Sequence, residues 1–393
     1  MKAIISGGGT GGHIFPAIAI ANALRRRHPE CQILFVGAEG RMEMEKVPAA
    51  GYRIEGLPIA GLQRKLTMGN MIKNLQLPFR MIRSRRKVRS IIKDFAPDIV
   101  VGVGGYASEP TLKAASSMGI ATLLQEQNSY AGLTNKMLAG GARVICVAYE
   151  GMERFFPKEK IVMTGNPVRD VIEHIYDGNV PQRFVGTMAD VKSMMDKRSS
   201  KNEAAAEHFG FNCESPIVLS VGGSLGAGSI NKMILDDLSF FSDNKIQLIW
   251  QTGKAMYEQA CDKVRETRVE QWVKVCQFIN EMDVAYKAAD VIISRAGAIA
   301  ISELCIVGKP VILIPSPNVA EDHQTKNAMA LVNKDAAIMV RDSECHEKGL
   351  AELRTLLDDT GRRATMSKNI KLLARHNAAD RIVDEIDKIF SDK

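Results

Sequence analysis

Long apolar runs are missing from this chain of 393 residues: no stretch approaches the roughly 18 apolar residues of a membrane-spanning helix. The apolar start, Met1–Ser6, runs at once into glycines, so we expect a first strand there and not a signal peptide. Apolar residues make up 46% and charged residues 25%, as in ordinary soluble globular proteins. The length suits two domains. These features predict a soluble protein, which can still touch a membrane surface.

Patterns typical of disulfide and metal sites are also missing. The seven cysteines are scattered, form no C-x-x-C pair and lie mostly in apolar runs. Buried free thiols in a reducing cytosol are the interpretation that this pattern favours. No Cys/His cluster has zinc spacing, and no D-x-D triplet offers paired carboxylates to Mg²⁺ or Mn²⁺. We expect no metal and no other cofactor.

Acidic residues are absent from one segment of a chain whose net charge is +7. Residues 64–93 contain ten Lys or Arg and no Asp or Glu, interleaved with apolar residues such as Leu75, Leu77 and Ile82. This mixture predicts docking on an anionic membrane surface, where each basic residue contributes about 1 kcal/mol. The apolar residues could instead form the core face of a helix. Nucleic acid is disfavoured because only Phe79 could stack on a base.

Strand and helix signals alternate in two blocks. The first block runs from a strand at Ala3–Ser6 to one at Val144–Val147, and the second starts with a strand at Pro216–Val221. This alternation predicts α/β domains with a parallel sheet and helices on both faces. Residues 176–204 are polar and Met-rich without a clear period, which indicates a surface insertion. We predict two doubly wound, Rossmann-like domains, 1–165 and 166–369.

Each block opens with a glycine-rich loop between a strand and a helix, at Gly7–His13 and at Gly222–Gly228. Glycines let the backbone approach a ligand closely, and the helix N-terminus behind them favours phosphate or developing negative charge. The first loop also fits the weak dinucleotide fingerprint G-x-G-x-x-G, or a tight turn with no ligand. Because ligands of open α/β sheets bind beyond the carboxyl ends of strands, we expect both loops to line one crevice.

A series of short motifs follows one another in a fixed order along the chain. The motifs are Gly9–Pro16, Gly104–Ser108, Glu126–Asn128, Gly165–Arg169, Gly222–Ala227, Ser294–Ala298, Ser302–Leu304, Gly308–Pro310, Pro315 and Asp322–Ala328. Any one motif could occur by chance, but the ordered set is very specific, and it resembles that of the bacterial cell-wall N-acetylglucosaminyltransferases. The connection between Arg169 and Phe209 is longer than is usual in that family.

The resemblance implies a GT-B fold, in which two Rossmann-like domains face a central cleft, the first being completed by a C-terminal helix at about 370–393. It also implies an inverting, metal-independent transfer of N-acetylglucosamine from UDP-N-acetylglucosamine. The implied acceptor is the 4-hydroxyl of the muramyl sugar of undecaprenyl-diphosphate-linked muramyl-pentapeptide, in peptidoglycan synthesis. The protein would then work peripherally at the cytoplasmic face of the bacterial membrane.

Donor-binding roles follow from the resemblance. Glu303 would accept hydrogen bonds from the ribose hydroxyls, although a carboxylate near a helix start can instead interact with the helix dipole. Ser224 would hold the diphosphate, and isolated Asn or Gln residues can simply satisfy loop backbones. The remaining expected contacts are uracil with the Ile279 backbone, the base with Arg169, and the sugar with Gln324, Ala298, Ile299, Ser302 and, from the first domain, Asn128.

His13 is the expected catalytic base. It lies on the first glycine loop together with Thr10, Gly11 and Gly12, and histidine side chains titrate near neutral pH. His13 could instead only orient the acceptor or cap its helix, and Glu126 and Glu109 are rival bases. The acceptor-side candidates implied by the resemblance are Gly104, Gly105, Tyr106 and Glu126.

Three other functions stay open at this point. A related lipid glycosyltransferase, for example one acting on diacylglycerol, would share the donor half of the sequence. A nicotinamide-dependent oxidoreductase is favoured only by the first glycine loop. A membrane-associated, non-catalytic sensor of sugar nucleotides would need the same binding residues.

Overall fold

The computed structural model describes residues 1–59, 77–175, 203–223, 226–319 and 322–391, with backbone alone for 77–81. The chain forms two compact units, Met1–Arg169 with Arg375–Lys393, and Asp170–Ala374. Ser224, residues 64–76 of the basic segment and residues 176–202 of the expected insertion lie outside the described residues.

The first unit contains a seven-stranded sheet in the order β3-β2-β1-β4-β5-β6-β7. All of its strand pairs are parallel. The strand order changes direction between β1 and β4, which makes their carboxyl ends the expected ligand-binding edge. The strands are β1 (Lys2–Ser6), β2 (Gln32–Ala38), β3 (Arg53–Leu57), β4 (Ile99–Gly102), β5 (Ala121–Glu126), β6 (Val144–Val147) and β7 (Ile161–Met163).

Helices cover both faces of this sheet, so its central strands are apolar on both sides. In β1, Ala3 and Ile5 belong to one core cluster and Ile4 to the cluster on the opposite face. The described helices that precede the second unit are α1 (Gly11–Arg27), α2 (Glu43–Ala49), α3 (Leu77–Phe95), α4 (Ser108–Ser117) and α5 (Leu133–Leu138).

The second unit repeats this architecture with a six-stranded parallel sheet in the order β10-β9-β8-β11-β12-β13. Here the strand order changes direction between β8 and β11. The strands are β8 (Ile217–Val221), β9 (Gln247–Gln251), β10 (Val273–Cys276), β11 (Val291–Ser294), β12 (Val311–Leu313) and β13 (Ile338–Met339). The prediction of two doubly wound α/β domains is confirmed.

Helices and strands of the second unit share a core cluster that contains the completely buried Trp250. Among the described residues, no helix is long and apolar enough to cross a bilayer. The helices are α6 (Asp170–Glu173), α7 (Gly228–Asp236), α8 (Ser239–Asp243), α9 (Tyr257–Glu266), α10 (Met282–Ala288), α11 (Ala298–Val307), α12 (His323–Val332), α13 (Cys345–Asp358) and α14 (Thr360–Leu372).

The last helix, α15 (Ala378–Ser391), belongs to the first unit. Its buried face contributes Ile382, Val383 and Ile386 to the core cluster that also contains α1. Ion pairs between α15 and the end of α1 accompany this packing, for example His28 Nε2 to Asp387 Oδ1 at 2.7 Å. Because surface ion pairs contribute little, the apolar face is the main source of stability.

Ile382→Ala should lower the free energy of unfolding of the first unit by about 2–5 kcal/mol, because it leaves a cavity in the core under α1. Calorimetric unfolding would measure the change. The matched variant Leu372→Ala removes a side chain that is 72% exposed and should change stability by less than about 0.5 kcal/mol. Equal effects of the two variants would contradict the packing of α15.

Candidate functional site

In the first unit, the first glycine loop follows β1, and another glycine-containing loop, Gly104–Ser108, follows β4. These two loops meet at the carboxyl ends of the strands. Gly105 has a φ of +87°, and a Cβ atom there would lie 2.4 Å from the carbonyl oxygen of Gly8. A Cβ atom on Gly7 would lie 2.1 Å from Val103 Cγ2. Side chains would therefore force the loops apart, and glycine is needed on both sides of this contact.

His13 lies in the first turn of α1, beside these loops. Its Nδ1 atom is 3.1 Å from the Gly8 carbonyl oxygen and 3.3 Å from Thr10 Oγ1. Because a carbonyl oxygen only accepts hydrogen bonds, the neutral imidazole carries its proton on Nδ1 and has Nε2 as the basic nitrogen. A Cβ atom on Gly104 would lie 2.9 Å from Nε2, so the loop after β4 passes directly beside this basic nitrogen.

The other predicted residues of this loop region are accessible. Thr10 and Gly12 are exposed, and Gly11 is half-buried. Tyr106, on the loop after β4, is 53% exposed, which is unusual for a large aromatic side chain. The structure therefore brings Thr10–His13 and Gly104–Gly105 together and leaves Tyr106 available to a ligand.

Glu126, at the end of β5, is buried and holds the loop that follows it. Its carboxylate accepts hydrogen bonds from the Asn128 and Gly132 backbone N–H groups, both at 3.0 Å, and from Asn135 Nδ2 at 2.9 Å. Asn128 Nδ2 also donates to it, at 3.2 Å. This geometry gives Glu126 a loop-holding role, positions Asn128 and favours His13 as the base.

The second rival base, Glu109, faces two cations. Its Oε1 atom lies 3.6 Å from Arg85 Nη2 and 3.8 Å from Lys113 Nζ. Both basic side chains are about half exposed or more, so these contacts are weak individually. Together they orient this carboxylate toward basic side chains of α3 and α4.

In the second unit, α11 begins directly after Gly297 and carries several residues that were predicted to contact the sugar-nucleotide donor. Ala298 starts the helix, Ile299 is half-buried, and Ser302 Oγ donates to the Ala298 carbonyl at 3.1 Å. Glu303 is only 4% exposed and accepts a hydrogen bond from the Tyr286 hydroxyl at 3.4 Å. Since Glu303 is the sixth residue of α11, it lies beyond the first turn, where the helix dipole acts most strongly.

The buried thiols of the second unit include Cys305, which lies on the same helix as Glu303. The seven cysteines of the chain are free. Burial raises the pKa of the Cys305 thiol to about 12, and burial also raises the pKa of Cys345 to about 11. Cys305, two residues from Glu303 on α11, therefore stays a neutral packing residue at physiological pH.

Gln251, at the end of β9, connects two segments that were predicted to bind the sugar nucleotide. Its Oε1 atom accepts the Ile279 backbone N–H at 3.2 Å, and its Nε2 atom donates to the Gly223 carbonyl at 2.9 Å. The Ile279 side chain is buried, whereas the preceding Phe278 is 49% exposed. The Ile279 amide is thus engaged within the protein, and its segment is fixed relative to the second glycine loop.

The second glycine loop packs against the end of β9. Gly226 has a φ of +78°, and a Cβ atom there would lie 2.1 Å from the Thr252 carbonyl oxygen. Asn231 Nδ2 donates to the same carbonyl at 2.7 Å and its Oδ1 accepts from Trp250 Nε1 at 3.0 Å. This buried network holds the end of the loop, at Gly226, beside α7.

Gln324 and Arg169 lie near the ends of their segments. Gln324 Oε1 accepts the Ser316 backbone N–H at 2.8 Å, so the amide nitrogen of this side chain is the group that can reach a sugar hydroxyl. Asp322, the residue before α12, adopts a left-handed conformation with a φ of +53°. Arg169 is half-buried at the end of the first unit.

Arg295 connects three loops of the second unit. Its guanidinium donates to the Ile314 carbonyl at 2.9 Å, to Ser229 Oγ at 2.9 Å and to Asp342 Oδ1 at 2.5 Å. These partners lie after β12, at the start of α7 and after β13. Arg295 therefore fixes the loops from which the predicted donor residues project.

No group of three His, Cys, Asp or Glu side chains is placed to hold a metal ion within the ranges that the structure describes. The polar groups at both strand edges are instead backbone N–H groups, amides, hydroxyls and single carboxylates. Such groups can bind hydroxyls and phosphates directly through hydrogen bonds.

Known proteins resemble the whole chain. The N-terminal domain of glycosyltransferase family 28 matches residues 3–147, and the C-terminal domain of that family matches residues 217–382. A Parabacteroides distasonis protein named UDP-N-acetylglucosamine--N-acetylmuramyl-(pentapeptide) pyrophosphoryl-undecaprenol N-acetylglucosamine transferase is 52% identical, covering 100% of this chain and 99% of its own. A Porphyromonas gingivalis protein of the same name is 53% identical, covering 99% and 96%. This chain belongs to glycosyltransferase family 28.

A solved structure agrees with this assignment. Acinetobacter baumannii MurG matches with a TM-score of 0.73 at 27% identity, covering 98% of this family 28 glycosyltransferase and 99% of its own chain. The predictions of a cell-wall glycosyltransferase family and of the GT-B fold are confirmed. The two family domains begin at β1 and β8, the strands that precede the two glycine loops.

Three residues of this family 28 enzyme hold predicted site residues in place but were not predicted themselves: Glu43, Gln251 and Arg295. Arg295 lies inside the motif Ser294–Ala298, and Gln251 is the last residue of β9, so position alone could have drawn attention to both. Glu43 has no such signal. Its contact with the first glycine loop spans 34 residues of sequence.

Proposed function

We propose that this glycosyltransferase transfers N-acetylglucosamine from UDP-N-acetylglucosamine to the 4-hydroxyl of the muramyl sugar of undecaprenyl-diphosphate-linked muramyl-pentapeptide. The reaction inverts the anomeric centre and takes place at the cytoplasmic face of the bacterial membrane. The observation that carries the proposal is identity of 52% with a transferase of that name, over the full length of both chains.

The donor binds mainly to the second unit. Glu303 accepts hydrogen bonds from the ribose hydroxyls, and its burial makes an oriented carboxylate of this kind effective. The backbone near Ala298 and Ile299 contacts hydroxyls of the sugar. Ser224 and the N–H groups around it in the second glycine loop bind the diphosphate. These N–H groups also stabilise the charge that develops on the departing UDP, which replaces a metal ion in that role.

Further polar groups select the base and the sugar. The segment at Ile279, fixed by Gln251, presents backbone to uracil, and Arg169 covers the base. Gln324 donates its amide N–H to a sugar hydroxyl, since its oxygen is already held by Ser316. Ser302 lies one residue before Glu303 on the same helix and contributes to the same pocket.

His13 acts as the general base. Its Nδ1–H is held by the Gly8 carbonyl, so Nε2 can take the proton of the attacking 4-hydroxyl. The hydroxyl attacks the anomeric carbon from the side opposite to UDP, which inverts the configuration. Tyr106 and the Gly104–Gly105 turn contact the acceptor, and Asn128 contacts the sugar from the first unit.

The reaction can be tested with purified protein, UDP-N-acetylglucosamine and a short-chain lipid-linked muramyl-pentapeptide. UDP release that requires this acceptor, with formation of the disaccharide product, is the expected result. UDP release that requires diacylglycerol instead would show a different lipid glycosyltransferase. Donor binding without transfer to any acceptor would favour a sensor and would end the proposal.

Glu303→Ala should raise the donor KM by about 100-fold, because charge-assisted hydrogen bonds contribute about 1.5–3 kcal/mol each. Steady-state kinetics and calorimetric titration with UDP would measure the loss. Glu266→Ala, an exposed carboxylate on α9, is the matched control and should leave the KM unchanged. An unchanged donor KM in Glu303→Ala would show that this carboxylate does not bind the ribose.

His13→Asn should lower kcat by about 10²- to 10⁴-fold, the usual contribution of a general base. Because His13 lies in the first unit, UDP binding to the second unit should be retained. Single-turnover rates and UDP titration would separate the two effects. If kcat fell by less than about threefold, another group would have to take the proton.

We also propose that α3 docks the first unit on an anionic membrane. Ile82, Arg86, Arg89 and Lys93 follow one helical stripe and are exposed, and Ile82 is 51% exposed. Val88 and Ile92, on another side of α3, are buried in the core. The helix therefore has a buried apolar face and an exposed face that carries the basic stripe, so Arg86, Arg89 and Lys93 are accessible to an anionic surface.

Replacing Arg86, Arg89 and Lys93 together with Ser should weaken binding to anionic vesicles by about 100-fold, at about 1 kcal/mol for each charge. Vesicle co-sedimentation would measure this loss of binding. Neutral vesicles should bind neither the wild-type protein nor the variant. The triple replacement of Lys348, Arg362 and Lys368 with Ser changes the net charge equally in the second unit. Equal losses in both variants would contradict docking through α3.

A further inference from the structure

Glu43, the first residue of α2, places a buried carboxylate behind the first glycine loop. Its side chain is only 1% exposed. Oε1 accepts the Ala38 backbone N–H at 3.0 Å, and Oε2 accepts the Gly9 backbone N–H at 2.9 Å. Burying a carboxylate is costly unless such hydrogen bonds compensate it, so the position of this group calls for a physical reason.

Two glycines make room for this carboxylate. A Cβ atom on Gly8 would lie 2.2 Å from Glu43 Oε1, and a Cβ atom on Gly37 would lie 2.6 Å from Glu43 Cγ. Alanine at either position would push the carboxylate away from the loop. The glycines therefore permit direct contact between Glu43 and the backbone of the loop.

The peptide group between Gly8 and Gly9 connects Glu43 to His13. Its N–H donates to Glu43 Oε2 at 2.9 Å, and its carbonyl oxygen accepts from His13 Nδ1 at 3.1 Å. A trans peptide directs its N–H and C=O to opposite sides, so carboxylate and imidazole lie on opposite sides of one planar group. Hydrogen bonding of the N–H to an anion makes the carbonyl a stronger acceptor, because hydrogen bonds in a chain polarise one another.

We propose that Glu43 is a positioning residue for His13 that acts through this peptide. The carboxylate fixes the orientation of the Gly8 carbonyl, which keeps the imidazole proton on Nδ1 and the basic nitrogen at Nε2. In catalytic triads an aspartate performs this task by direct contact with the histidine; here one peptide group lies between them. The inference rests on the proposed role of His13 as the base.

The rival explanation is that Glu43 only stabilises the loop. The two explanations differ in what happens to His13. A loop-stabilising residue would affect folding and, with it, every activity of the first unit. A positioning residue acts on kcat and on the imidazole tautomer, and its effect disappears when His13 is absent.

Glu43→Gln is the central variant, because it keeps the size of the side chain but turns an N–H₂ group toward a backbone N–H donor. We expect kcat to fall by about 10- to 100-fold, as for other groups that orient a functional histidine. The donor KM should stay within about twofold. Val47→Ala, a buried change on the same helix, is the control for destabilisation and should leave kcat within about twofold.

A double-mutant cycle tests the route through His13. In the His13→Asn background, Glu43→Gln should lower kcat by less than about twofold, because the interaction has already been lost. A further loss as large as that in the wild-type background would overturn the proposal.

The tautomer itself can be measured without any turnover. Ring ¹⁵N resonances of histidine-labelled protein distinguish Nδ1–H from Nε2–H, and the His13 signals are those that His13→Asn removes. Wild-type protein should show the Nδ1–H form, and Glu43→Gln should show a mixture. A dominant Nε2–H form in the wild type would overturn the proposal even if Glu43→Gln failed to fold. If this measurement succeeds but no transfer to the muramyl acceptor occurs, the proposed function alone has failed.

Discussion

The contact of backbone against backbone at the carboxyl ends of β1 and β4 is the constraint on which the first half of the site depends. Neighbouring parallel strands bring their loops together within a few ångströms, and side chains on both loops would collide. Glycine at positions 7 and 105 removes that collision, and glycine at position 8 makes room for the Glu43 carboxylate. Only then can the Gly8 carbonyl reach His13 on one side while the Gly9 amide reaches Glu43 on the other.

In the second unit, a glycine loop also packs closely against backbone at a strand end, but the neighbouring segment is a different one. Gly226 lies against the backbone at Thr252, and the neighbouring loops are tied by long polar side chains, Gln251 and Arg295. The first unit thus orients one imidazole, whereas the second orients amides and a carboxylate, groups whose chemistry allows hydrogen bonds to hydroxyls and phosphates. This division suits a transfer reaction in which the sugar nucleotide and the proton acceptor have different chemical needs.

Much of the fold followed from the sequence because its signals are local. Apolar strands, glycine loops and following helices repeat in both halves, and that alternation dictates doubly wound parallel sheets. The glycine loop around His13 was predicted from the same local pattern, whereas Glu303 was predicted from the resemblance to the cell-wall N-acetylglucosaminyltransferases. The contacts that hold these residues were not predicted, since their partners are distant in sequence. Gln251 reaches Ile279 across 28 residues, and Arg295 reaches Asp342 across 47. No local pattern encodes such pairs, because they depend on the order of strands in the sheet.

The position of α15 has a consequence for how the protein is made. Its apolar residues complete the core of the first unit, yet they follow the whole second unit in the chain. Domains emerging from the ribosome generally fold in order from the N-terminus. Here the earlier-synthesised unit exposes the apolar surface of α1 until the later one has been translated, so the second unit can finish folding first. The order of synthesis thereby delays completion of the first unit, which carries His13, until the second unit, which carries Glu303, has been translated.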